Sequence, residues 1–192
     1  MTIFFILAPY GVFTFLTVLT FPVVSASAAA FACVAVIALD VIRGRSVKML
    51  GAGSAILFAG IGAYLAVVDP AVSTSKVRLA ADTGIFIISA GSMLIRYPFT
   101  LQYALEAVPA EAAAMPGFLR ANYIITAAWT AAALLMMLSN LAIVYVPGLP
   151  IWISLLIAFA ARNSAVYFTK WYPQHRRAKH RTHSTEALPS AH

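Results

Sequence analysis

MTIFFILAPYGVFTFLTVLTFPVVSASAAAFACVAVIAL, residues 1–39, holds no charged side chain, and the first charge in the chain is Asp40. A second uncharged run extends over 41 residues from Ala121 to Ala161. A water-soluble fold has no use for such lengths. Lipid does, because a helix satisfies every backbone N–H and C=O within itself. The composition agrees, with 62% hydrophobic and 10% charged residues among 192 and a mean hydropathy of +0.89. The expectation is an all-α, polytopic transmembrane helix bundle forming one domain over residues 1–170.

Residues 3–42 would be about 60 Å long as a single helix, or two bilayer thicknesses. A turn must therefore interrupt them, and Phe21-Pro22 is the place. Proline disfavours helix at the residue before it and suits the first turn of the helix it begins. Spans one and two are expected at about 3–20 and 22–42, with Pro9 kinking span one or delaying its start. Arg43, Gly44, Arg45, Ser46 and Lys48 form a tight basic loop before span three, at about 49–68. Asp69-Pro70 closes that span. Span four is expected at about 77–97, span five at 118–145 and span six at 151–170, the last two separated by Val146-Pro147-Gly148-Leu149-Pro150. Residues 171–192 are polar and basic and read as a disordered tail. Ser25-Ala26-Ser27-Ala28 mimics a signal cleavage site. The run before it lacks a basic flank and is too long for a signal core, so no cleavage is expected.

The net charge of +7 sits beside span ends, which points to topology and away from nucleic acid. Arg43, Arg45, Lys48, Arg96, Arg120, Lys170, Arg176, Arg177, Lys179 and Arg181 fall on one side of a six-span layout. Lys76 and Arg78 fall on the other. The basic side is cytoplasmic by the positive-inside rule, so both termini are expected in the cytoplasm. Trp171-Tyr172 fits an interfacial aromatic belt. The expected partners are the bilayer itself and anionic lipid at the basic tail. Gly51, Ala55, Ala59 and Ala63 recur at fours along span three. Small residues so spaced permit close helix approach, within the bundle or in a homodimer or other membrane complex. Packing inside one chain is the expected use.

Cys33 is the single cysteine and lies in an apolar run, which leaves no disulfide or thiolate metal pair. All four histidines, His175, His180, His183 and His192, fall in the last eighteen residues, so no span offers an axial haem ligand. No catalytic residue, metal set or cofactor is expected. Polar residues within spans are the candidates for function. Asp82, Ser89 and Arg96 recur at sevens on span four, either lining a solute or proton path or gluing helices, with Arg78 pairing Asp82 one turn away. Arg162 and Asn163 lie eight residues before Lys170. Arg162 either snorkels or pairs with Asp40, whose local alternative is Arg43, while Asn122 stands at the same expected level. Pro98, Phe99, Thr100, Gln102, Tyr103 and Glu106 follow span four. Phe99, Tyr103 and Ala107 share one face, which predicts a short amphipathic helix at the interface between spans four and five, or a lid over a cavity.

Arg96-Tyr97-Pro98-Phe99-Thr100-Leu101-Gln102-Tyr103-Ala104 with Glu106, then Pro116-Gly117-Phe118-Leu119-Arg120 and the stretch from Asn122 to Trp129, resembles a group of small bacterial integral membrane proteins. That group is similar in size and span layout to the intracellular septation protein A family. The resemblance covers roughly Asp40 to Trp129. The chain departs from the pattern at Leu105, where a basic residue often stands beside the glutamate. The resemblance implies a protein of the bacterial inner (plasma) membrane connected with envelope biogenesis, and brings no substrate and no catalytic residues. Together these readings favour a non-catalytic accessory or scaffold protein, with a small-solute or ion transporter or channel subunit, dimeric, as the alternative.

Overall fold

The structure, a computed structural model, describes residues 2–186, and the surroundings of side chains from residue 8 to residue 176. Among the described residues every regular element is a helix. They are α1 (Thr2–Leu19), α2 (Pro22–Ile42), α3 (Met49–Val67), α4 (Thr74–Leu94), α5 (Phe99–Ala107), α6 (Ala110–Ala113), α7 (Phe118–Tyr145) and α8 (Ile151–Glu186). Five helical stretches are long and apolar enough to cross a membrane: α2, α3, α4, α7 and the Ile151–Arg176 part of α8. The apolar part of α1 in that reckoning is Ala8–Leu19. Large apolar side chains such as Phe31, Ile56, Leu94 and Phe159 point outward, as a bundle dissolved in lipid requires. The chain is a multi-pass membrane protein.

Local chemistry sets the breaks. Phe21 is extended (φ −69°, ψ 147°) and Pro22 opens α2 as its first residue, as its fixed φ and missing N–H favour. At the end of α2, Gly44 adopts φ +69°. Its N–H reaches Val41 O at 3.0 Å, and Arg45 N–H reaches Asp40 O at 2.9 Å. This pairing of the last carbonyls needs one left-handed residue, which glycine adopts without a Cβ clash. The end of α4 repeats the pattern with an arginine in the glycine's place. Arg96 has φ +59°, its N–H bonding Met93 O at 3.1 Å while Tyr97 N–H bonds Ser92 O at 3.0 Å.

The interior forms two apolar clusters. Tyr10, Phe13, Ala26, Ala29, Cys33, Phe58, Leu65, Val77 and Ala81 bring α1 to α4 together. Ala132, Ala133, Met136, Ala158, Ala161 and Ala165 join α7 to α8. Ile85 of α4 packs against both, so α4 is the element common to the two halves.

Three sequence expectations change here. The small-residue row of α3 does not face its own bundle along its length, because Ala59 and Ala63 are exposed and the space beside Gly60 is open. Close approach instead uses Gly62, whose added Cβ would lie 3.2 Å from Ser27 Oγ, and Gly84, where it would collide with Leu57. The buried face of α3 is Leu50, Ser54, Phe58, Gly62 and Leu65, since the bulk of Phe58 commits that side to the core. Second, helix continues from Trp171 to Glu186, where a disordered tail was expected. Side-chain stacking supports its first turn, with Trp171 and His175 rings 4.9 Å apart and Arg176 donating to Gly117 O at 3.0 Å. Residues 187–192 lie outside those described, and so do the side chains of Arg177, Lys179, His180, Arg181 and His183. Third, α5 buries Phe99 and Leu101 and leaves Ala107 exposed, so the expected face of Phe99, Tyr103 and Ala107 turns inward only over its first two members.

Two of the left-handed positions, Gly117 and Arg96, predict opposite responses. Gly117 has φ +85°, and an added Cβ would lie 3.0 Å from Arg176 Nη2. Gly117→Ala should lower stability by about 1–2 kcal/mol from backbone strain alone. Arg96→Gly should raise it by up to about 1 kcal/mol. Melting curves of the detergent-solubilised variants measure both.

Candidate functional site

Lipid supplies no hydrogen bonds, so polar side chains within spanning helices must find partners or water inside the bundle. Their distribution therefore marks the site. Tyr10 of α1 is almost wholly buried and hydrogen-bonds Ser54 of α3 through its hydroxyl. Ser54 Oγ spends its own proton on Leu50 O, 2.6 Å away. The phenol is therefore the donor to the serine.

Tyr10 stands between two cavities and lines both. The first also includes Pro9, Cys33, Asp40, Lys48, Ser54 and Tyr103, and lies toward the end of the bundle carrying α5. The second is bounded by Phe13, Thr14, Arg78, Asp82, Ile85, Ala158 and Arg162, drawn from α1, α4 and α8. Asn140 of α7 donates from Nδ2 to Asp82 Oδ2 at 2.6 Å and to Met136 O at 3.3 Å. Two guanidinium groups and one carboxylate thus meet at the second cavity, a formal net charge of +1. The ion pairs Arg45–Asp40 and Lys48–Glu106 do not involve this group. Arg78 is 5% exposed, and its Nη1 is buried without a hydrogen-bond partner, as is Asn140 Oδ1.

The candidate stripe on α4 divides by depth. Asp82 faces the cavity and α7. Ser89 bonds Thr130 of α7 at 2.6 Å and holds the two helices together. Arg96 is exposed and terminates the helix. Ser92 turns the chain, donating to Ser89 O at 2.6 Å while accepting Phe99 N–H at 3.1 Å.

The segment after Pro98 clasps the α5 end. Pro98 is buried, and Thr100 donates to Asn122 O at 2.9 Å and meets Thr126 Oγ1 at 2.7 Å. Gln102 Oε1 accepts Met49 N–H at 2.7 Å, so it caps the first turn of α3. Glu106 Oε1 accepts Ser46 N–H at 3.1 Å, Ser46 Oγ at 3.0 Å and Lys48 Nζ at 2.6 Å. Lys48 is 4% exposed and lies 5.8 Å from the centre of the Tyr103 ring. Burial raises the carboxyl pKa of Glu106, but the bonds from Lys48 and Ser46 outweigh it and hold the group below its usual range. Burial pushes the Tyr103 phenol above its ordinary value.

Two of the contacts raised as alternatives from sequence do not form. Arg162 meets the Asp82 cavity and not Asp40, which pairs with Arg45 at 3.6 Å. The reason is register: the α2–α3 loop folds Arg45 back beside Asp40 at the α5 end, while Arg162 is deeper. Asn122 is also occupied elsewhere, donating to Phe118 O at 3.0 Å. Asn163 lies outside the site, exposed and bonded to Phe159 O of its own helix at 2.7 Å. Tyr10, Ser54 and Asn140 were the residues that sequence reasoning passed over. Asn140 had a legible signal, as an amide inside an uncharged spanning run. Tyr10 and Ser54 had none, because a lone hydroxyl in a span usually bonds its own helix.

No family model, no curated protein and no solved structure matches the chain.

The geometry predicts two contrasts. Asp40→Ala should shift stability by less than about 1 kcal/mol, since its partner is a part-exposed arginine. A double-mutant cycle of Asp82→Ala with Asn140→Ala should return a coupling of about 1–2 kcal/mol. Glu106 stabilises the fold above its unfolded pKa, near 4.3, because its folded pKa is depressed. That contribution is lost as pH falls through the lower folded value, so acid melting of the wild type should show a low-pH loss that Glu106→Gln lacks.

Proposed function

We propose that the protein moves a small solute or ion across the bacterial inner membrane, as a transporter or channel subunit. The observation that carries this reading is the second cavity, where Arg78, Asp82 and Arg162 come together inside spanning helices without a direct ion pair. Charges held at such depth are costly, and packing alone gives no reason to retain three of them. The first cavity extends from Tyr10 toward the α5 end, and Tyr10 lines both spaces.

In the proposed topology α1 is a sixth span, and α5 lies at the cytoplasmic interface. Both termini are cytoplasmic, because the basic residues cluster at the α5 end. The first cavity then opens to the cytoplasm. The exposed small residues Ala59, Gly60 and Ala63 suit a homodimer contact, and the basic stretch after Lys170 suits anionic lipid. The second reading is an accessory or scaffold protein of envelope biogenesis, related in layout to the septation protein A group. The exposed face of α3 favours it, because a scaffold requires an interaction surface of this kind and no cavity.

Reporter fusions at Thr74 and at the C-terminus should report opposite compartments, and matching compartments would refute the six-span topology. For transport, the full chain reconstituted in proteoliposomes should give gradient-driven currents on a solid-supported membrane with one class in a panel of inorganic ions, organic acids and amines. Arg162→Gln should reduce that current by about tenfold or more. Silence across the panel, with a co-purifying membrane partner, would decide for the scaffold.

A further inference from the structure

We infer that the second cavity is a binding site for one small, halide-sized monovalent anion held between Arg78 and Arg162. This rests on the transport reading for the anion's movement, and on the cavity alone for its binding.

Arg78 supplies the first argument. Its side chain is more than nine-tenths buried, it lines the cavity, and Nη1 has no hydrogen-bond partner. A guanidinium presents five donors and accepts nothing, so its missing partner must be an acceptor. Asp82, the nearest acid, is bonded by Asn140 across the α4–α7 seam, and no ion pair joins it to either arginine within 4.0 Å. The second argument is charge. Arg162 enters from α8 and lines the same space, leaving one positive charge uncompensated. A cation would meet net repulsion there, and a neutral solute would leave the charge unanswered. One monovalent anion compensates it and accepts from both guanidiniums, in charge-assisted bonds that are shorter and stronger than neutral ones. The third argument is surroundings. Tyr10 and Thr14 bring hydroxyls to the lining, and Phe13, Ile85 and Ala158 add apolar side chains, so the space is narrow and of mixed character. A space of this size admits a small anion that has shed its water and excludes one that keeps its hydration shell.

The chemistry predicts opposite effects at neighbouring residues. Arg78→Gln and Arg162→Gln each remove positive charge, and each should weaken binding by about tenfold or more. Asp82→Asn removes the competing negative charge, and its amide oxygen can still accept from Asn140. It should tighten binding by about fivefold or more. General damage to the fold cannot mimic that gain.

The test is titration of the full chain in nanodiscs with chloride, bromide, nitrate and formate. The background is potassium gluconate at constant ionic strength, read by thermal shift and by calorimetry. The expected result is saturable stabilisation by at least one of these anions, with the three variants ordered as stated. If Arg78→Gln does not fold, Arg162→Gln and Asp82→Asn still decide the matter. Absence of saturable binding, equal response in wild type and both arginine variants, or weaker binding in Asp82→Asn overturns the inference. Saturable binding without any flux in proteoliposomes upholds this site and sinks the transport reading. Flux of a cation or neutral solute without anion binding does the reverse.

Discussion

Among the described residues, the hydrogen bond from Asn140 Nδ2 to Asp82 at 2.6 Å is the one contact between the two halves that engages a carboxylate, and it leads a short row of polar contacts across an otherwise apolar seam. Helices in lipid gain little from burying apolar surface, because the tails they leave are as apolar as the neighbours they reach. Polar contacts then choose the partner and fix the register. Asp82 and Asn140 set one point on the α4–α7 seam, Ser89 and Thr130 a second, and Thr100 with Thr126 a third at the foot of α7. The small alanines of the α7–α8 cluster follow from that register, since only short side chains fit where α8 closes on α7.

Charge is balanced at one end of the cavity pair and unbalanced at the other. At the mouth of the first cavity Asp40 answers Arg45 and Glu106 answers Lys48, so these two cations are compensated within an otherwise basic end. The deeper cavity has two arginines against one acid. The difference depends on α5, because Glu106 reaches back across the α2–α3 loop to hold Lys48. Without that contact the lysine would add its charge to the rim, and the contrast between rim and interior would shrink. The segment after Pro98 thus governs the field at the cavity mouth as well as the cap of α3.

Helix existence was legible because it depends on local properties. Uncharged length, the proline at position 22 and the basic loop after Ile42 mark α1, α2, α3 and α7 within a residue, whereas α4 begins and ends three residues earlier than expected and α8 runs past 170. Side-chain partnership was not legible in the same way. Arg162 and Asp40 looked equivalent in depth when spans were laid end to end. The structure separates them, because depth along one helix does not reveal which other helix stands opposite. The α3 row shows the same limit. Its spacing was real, but Phe58 and Leu65 claimed the interior and turned Ala59 and Ala63 outward. At the candidate site the charged members, Asp82 and Arg162, were visible from sequence alone. The neutral ones that orient them, Asn140 above all, required the fold.

The seam between Asp82 and Asn140 also carries a clock. The two residues lie 58 positions apart. At ribosomal rates of about 5–20 residues per second, α4 precedes its amide partner into the membrane by roughly 3–12 seconds. During that interval the carboxylate is in place before the helix that answers it. Arg78, one turn earlier on the same helix, is the counter-charge that travels with it. Its position lets α4 be inserted as a pair of opposite charges, ahead of the α7–α8 hairpin. The arginine whose Nη1 finds no hydrogen-bond partner within the folded chain is thus the one that neighbours Asp82 on the helix as it is made.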